Sequence, residues 1–111
     1  MEKLNQPAGL QFLYVTTTGR VTGQPREIEI WFVEWQDKLY ILAEHFHATQ
    51  WVKNIERNPR VQVRLGDERF EATARVLNIE QNEATWQTVQ QLARDKYGWG
   101  EGLPVEIVRD E

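Results

Sequence analysis

The chain has 111 residues, 41% of them apolar, 27% charged and 11% aromatic, a size that fits one domain spanning 1–111 and leaves no room for two. It contains no cysteine, which excludes a disulfide framework, a thiolate nucleophile and any Cys-ligated zinc or iron–sulfur cluster. Thirteen Lys and Arg against seventeen Asp and Glu leave a net charge of −4, so no global basic field draws nucleic acid or anionic lipid.

Met1 to Pro7 has no apolar leader-like run, and the longest apolar runs, Trp31 to Val33 and Leu39 to Ala43, fall far short of the ~18 residues of a spanning helix. The expectation is a soluble cytoplasmic protein without membrane contact. Pro7 and Gly9 close the N-terminal tail, and residues 10–18, apolar or aromatic from Leu10 to Val15 except Gln11 and then three threonines, read as a first strand. Two glycines and a proline between Gly19 and Pro25 require a loop. From Arg26 to Trp35, Ile28, Ile30 and Phe32 alternate with Glu27, Glu29, Trp31, Val33 and Trp35, a strand whose second half is covered on both faces. Gln36, Asp37 and Lys38 turn the chain into the apolar run Leu39 to Ala43, which predicts a hairpin.

Ala48, Trp51, Val52 and Ile55 then fall at helical spacing, and Asn58-Pro59 stops that helix. Val61, Val63 and Leu65 alternate with arginines and Gln62, Gly66-Asp67 turns the chain, and Phe70, Ala72, Ala74 and Val76 alternate with polar residues, a second hairpin with one wet face. Asn82 stands where it can cap a helix whose Trp86, Val89, Leu92, Ala93 and Tyr97 form an apolar stripe, ended by Gly98, Gly100 and Gly102. Leu103 to Val108 is the last strand. Hairpin connections too short for parallel crossovers make this a mainly β (α+β) protein, expected as a six-stranded antiparallel split β-barrel with two helices.

The stretch Thr16-Thr17-Thr18-Gly19-Arg20-Val21-Thr22-Gly23-Gln24-Pro25-Arg26 combines hydroxyls, two glycines that admit a ligand to the backbone, and two fork-shaped guanidinium groups, which is what an anion such as phosphate requires. It is not a P-loop, since no Gly-Lys-Ser/Thr follows. The same composition also describes a polar β-turn with solvated arginines.

That loop running into Ile30-Trp31-Phe32-Val33 resembles the deazaflavin-dependent nitroreductase and quinone reductase family, within the pyridoxamine-phosphate-oxidase-like split-barrel flavoproteins. Trp51-Val52-Lys53-Asn54-Ile55-Glu56-Arg57-Asn58-Pro59-Arg60-Val61 is similar to the family's helix and following strand, and Phe70 to Leu77 to its next strand, so the resemblance covers almost the whole chain. It implies that Thr17, Thr18, Gly19, Arg20 and Arg26 surround a cofactor's phosphate and that Ile30 and Trp31 lie along its ring; Gly23 and Trp51 are further cofactor-binding candidates, and the residues alone leave Trp31 and Trp51 divided between ring contact and packing. The implied cofactor is F420 or FMN. FMN-using barrels commonly place a basic residue where this helix has Trp51, whereas the deazaflavin type places Trp there. Two departures accompany the resemblance: Val21 stands where the family often has Lys or Arg, and the first strand begins at residue 10, where deazaflavin-using members usually carry an extra helical segment.

His45 and His47, spaced i, i+2, would share one side of an extended chain, with Glu44 the only further metal ligand nearby; the other role for His47 is to line the ring pocket. Glu27 and Glu29 share a strand face and read as solvated or paired with arginine. The function implied by the resemblance is hydride transfer from a flavin or deazaflavin to a small-molecule electron acceptor, quinone-like or nitroaromatic, in a homodimer, because the second half of the Arg26 to Trp35 strand would be covered by a second subunit. Two other readings share the pattern: a non-catalytic barrel that binds flavin or haem, and an oligonucleotide-binding barrel, against which the net charge stands.

Overall fold

The computed structural model describes residues 10–110, so the tail closed by Pro7 and Gly9 lies outside the described residues. Seven strands form: β1 (Phe12–Thr18), β2 (Pro25–Trp31), β3 (Val33–Trp35), β4 (Lys38–Ala43), β5 (Arg60–Leu65), β6 (Glu68–Val76) and β7 (Leu103–Arg109). Helix α1 covers Gln50–Arg57 and α2 covers Glu83–Tyr97. Every ladder is antiparallel, in the order β2-β1-β5-β6-β7-β4-β3.

Seven strands rather than six arise because the expected Arg26 to Trp35 strand breaks at Phe32. Its first part pairs with β1, from Phe12↔Trp31 to Thr18↔Pro25, and its second part pairs with β4, from Val33↔Tyr40 to Trp35↔Lys38. Strands β2 and β3 are therefore the two ends of the sheet, yet one residue joins them. The sheet must curl until its ends meet at Phe32, which makes it an open half-barrel. Gln36 and Asp37 both take positive φ, 53° and 65°, in the tight turn that closes the β3–β4 hairpin.

Alternation decides what the curl encloses. Leu13, Val15, Ile41, Val63, Ala72 and Val105 point inward, and Val52 and Ile55 of α1 plug the interior. Burying each of those two side chains contributes about 1.5–3 kcal/mol, which is how an eight-residue helix too short to persist alone is held. A second cluster forms outside β3 and β4, where Val33 and Tyr40 pack under Val89 and Ala93 of α2. The apolar outer parity of Val33 and Trp35 is thus explained by α2, which covers it within one chain. Asn82 occupies the N-cap position of α2 without a side-chain capping bond; its Oδ1 accepts the Asn78 N–H at 3.3 Å. No helix among the described residues is long and apolar enough to cross a membrane.

One buried charge was not anticipated from the pattern. Glu106 in β7, 6% exposed, accepts from Tyr40 Oη at 3.0 Å and Arg75 Nε at 3.2 Å, with Lys38 Nζ 3.7 Å away. Burial, reinforced by the Glu106 hydrogen bond, pushes the Tyr40 phenol up to about 12 from its ordinary 10.0. A phenol whose folded pKa lies above its unfolded one stabilises the fold fully below the unfolded value and loses that contribution as pH rises through the folded one. Stability should accordingly decline between pH 10 and about 12. Denaturation midpoints measured across that range check this, and the decline should be shallower in Tyr40→Phe.

Candidate functional site

The β1–β2 loop is closed by its own backbone, with Gly19 N–H donating to Gln24 O and Gly23 N–H to Gly19 O, both at 2.8 Å. Its position is set by α1. Asn54, 5% exposed, donates from Nδ2 to Thr17 Oγ1 at 3.1 Å, and its Oδ1 accepts both the Arg20 backbone N–H at 3.2 Å and Arg20 Nη1 at 2.8 Å. Arg20 Nη2 reaches Gln50 Oε1 at 2.6 Å. One buried amide thus ties strand, loop and helix together.

This divides the two loop arginines. The Arg20 guanidinium is engaged with neutral oxygens of α1, so it keeps its charge but spends its fork geometry on holding the loop. Arg26 is exposed, lies with its Nε near Gly19, and among the described residues its side chain has no hydrogen bond or ion pair. A cation free to take an anion is Arg26. Thr17 is 1% exposed and supports Asn54 from inside, whereas Thr18 and Gly23 line the outer face of the loop beside Arg57. Val21, at the departure from the family pattern, is 86% exposed.

Two hollows adjoin. A groove of about 370 Å³ lies between loop and α1, lined by Arg20, Arg26, Ile28, Trp51 and Asn54. A cleft of about 540 Å³ opens where the barrel ends meet, walled by Ile30, Trp31, Phe32, Trp51, Tyr97 and Trp99. Trp51 lines both, so the cationic groove and the aromatic cleft lie on either side of one residue. Trp31 stacks on Tyr97, centroids 4.3 Å apart and planes 3° from parallel, and remains 40% exposed.

The histidines separate. Phe46–Ala48 forms a turn of 3₁₀ helix with Phe46 at φ 51°, so the segment is not extended and the imidazoles do not share a side. His45 lines the cleft, and His47 Nδ1 faces Glu56 Oε2 at 3.0 Å instead. Glu27 and Glu29 are partnered, by Arg64 at 3.7 Å and by Tyr14 Oη at 2.8 Å. Burial raises the Tyr97 phenol above its ordinary value, and burial lowers the Lys96 ammonium.

Sequence reasoning missed Asn54 and Tyr97 as site residues. A signal for Asn54 existed: it falls three residues after Trp51, inside the apolar stripe, where a polar side chain must find buried partners. Tyr97 read as core because its spacing matched the helix stripe, and nothing local marks which strand its hydroxyl meets.

A curled antiparallel sheet with one helix plugging it and a second packed outside β3 and β4 makes this a split-barrel protein. The family model "F420H(2)-dependent quinone reductase" matches residues 3–110, and the chain belongs to that family. It is 27% identical over 96 residues to an F420H(2)-dependent quinone reductase of Mycobacterium tuberculosis, covering 82% of this chain and 64% of that protein. The chain therefore spans less than two thirds of that relative's length. A solved F420-H2 dependent reductase is 28% identical, with a TM-score of 0.65 over 88% of this chain and 93% of that one. A solved domain-swapped dimer is 27% identical, with a TM-score of 0.66 over 88% of this chain and 79% of that one.

Proposed function

We propose that this protein is an oxidoreductase that holds reduced F420 with its phosphate in the loop groove and its ring in the aromatic cleft, and that a quinone-type acceptor enters the same cleft. The observation that carries this is Trp51 lining both hollows, since a ligand with an anionic arm and a flat ring needs a charged groove continuous with an aromatic slot. The residues present fit such a group: Arg26 is an unpartnered cation at one end, and the walls of the cleft are mainly aromatic and aliphatic at the other. When bound, the deazaflavin supplies the hydride.

This chain's own residues do the rest. Arg26 binds the phosphate by charge-assisted hydrogen bonds, and Arg20 with Asn54 keeps the loop in the conformation that aims it. Trp51 and Trp31 offer flat aromatic surfaces and Ile30 an aliphatic one, which together orient the ring and exclude water from one side. The family and the two F420-dependent relatives support F420 over FMN. Phe12 and Trp31, paired across β1 and β2 and each about 40% exposed at the cleft, are the apolar edge that a second copy would cover, and the domain-swapped relative supports a homodimer.

The purified protein should bind F420 more tightly than FMN in parallel fluorescence titrations, and it should speed the reoxidation of reduced F420 by a soluble quinone over the protein-free rate. Tight F420 binding without any gain in that rate would leave a cofactor-binding module. Absence of F420 binding would refute the proposal.

A further inference from the structure

Where β2 passes into β3, the backbone of Phe32 leaves one end of the sheet before it joins the other, so its N–H and C=O have no strand partner there. The last turn of α2 supplies the missing partners. Phe32 N–H donates to Tyr97 Oη at 3.0 Å, Lys96 Nζ donates to Phe32 O at 3.0 Å, and Tyr97 Oη lies 2.7 Å from Gln11 O and 2.8 Å from Phe32 O. One hydroxyl proton serves one acceptor, and with Lys96 already on Phe32 O it satisfies Gln11 O. Lys96 Nζ also sits 4.0 Å from the centroid of the Phe32 ring. Tyr97 therefore ties the entry to β1, the break in the barrel and the end of α2 at one atom.

The same side chain is part of the cleft. Its ring lies flat against Trp31, the residue immediately before the break, and both rings line the cavity. We propose that Tyr97 is a positioning residue: by bridging Phe32 and stacking on Trp31 it sets the plane of the Trp31 indole and the width of the cleft, and so determines how well a flat ring ligand is accepted. This deepens the function proposed above and rests on it for the identity of the ligand. An aromatic ring at this position without a hydroxyl would keep the stack but leave the Phe32 N–H and Gln11 carbonyl to find other partners, and the break would loosen.

Tyr97→Phe removes the hydroxyl alone, and Tyr97→Leu removes the stack as well. Amide hydrogen exchange at Phe32 and near-ultraviolet circular dichroism are read on the unliganded proteins well below their unfolding temperatures, followed by F420 titration. In Tyr97→Phe, Phe32 exchange should accelerate, the aromatic dichroism should change, and the F420 dissociation constant should rise roughly fivefold to tenfold. Tyr97→Leu should lose more, and combining Tyr97→Phe with Arg26→Ala should give additive losses because the two act on different ends of the ligand. A purely structural role would lower the melting temperature and leave F420 affinity at low temperature unchanged; that result overturns the proposal, as does unchanged Phe32 exchange in Tyr97→Phe. If the wild-type protein binds no F420, the functional reading fails by itself, and Tyr97 is judged on exchange and dichroism alone.

Discussion

Replacing Arg26 by Ala should weaken F420 binding by about 1.5–3 kcal/mol, roughly a tenfold to hundredfold rise in dissociation constant, with the melting temperature unchanged. The side chain is exposed and has no partner among the described residues, so the fold loses nothing when it goes. Arg20→Ala should behave differently. Its guanidinium is bonded to Asn54 and Gln50, so its loss frees the loop from α1 and lowers both affinity and stability. Asn54→Ala should show the same combined loss, about 1–3 kcal/mol in stability, because Thr17 Oγ1 and the Arg20 N–H lose their buried partner. Titration and thermal unfolding of the three variants test this division of labour. Equal affinity losses with unchanged melting for both arginines would contradict it.

Gly100→Ala should destabilise the protein by about 3 kcal/mol, which for a domain of this size lowers the melting temperature by roughly 10–20 °C. Gly100 is buried, and a Cβ there would fall far inside van der Waals contact distance of the Gln90 carbonyl oxygen and against the Arg94 backbone nitrogen at 3.1 Å. Helix backbone cannot yield as a side chain can, so the segment must move. It carries Trp99, a wall of the cleft, and F420 affinity should fall with it. Gly98→Ala is the control. Gly98 ends α2 at φ 81° with open space around it, so an added methyl meets only the left-handed backbone cost, near 1 kcal/mol. Differential scanning calorimetry of both variants separates the two roles, and similar losses would mean that crowding at Gly100 is relieved by a shift too small to matter.

Those glycines illustrate how far the sequence reaches. Three of them after an apolar stripe end a helix, and that much follows from composition; that Gly98 is needed for its dihedral and Gly100 for its lack of a side chain depends on Gln90 and Arg94, one helix face away. The same boundary runs through the rest of the molecule. Alternation and turn residues were enough to place β1, the hairpin of β5 and β6, α1, α2 and β7, because a strand's period and a proline's missing N–H act within a few residues. The loop around Gly19 stood out for the same reason.

The break at Phe32 does not read that way: the apolar parity shifts there, from Ile28, Ile30 and Phe32 to Val33 and Trp35, but apolar residues on both parities read equally well as one continuous strand covered on both faces. What interrupts it is the choice of partner: β1 on one side, β4 on the other, at opposite ends of a curled sheet. The two loop arginines look alike in the sequence and differ only because Asn54, 34 residues from Arg20 and 37 from Thr17, reaches one of them. Tyr97 meets Phe32 across 65 residues and Gln11 across 86. Local pattern placed most of the elements and singled out the glycine- and arginine-bearing loop, because those are set by the period of burial and by backbone stereochemistry. The tertiary structure decided which arginine side chain is free, which histidine faces the cleft and which strand break the Tyr97 hydroxyl meets, because each of these is a contact created by sheet register and curl, which act over distances along the chain that no local period records.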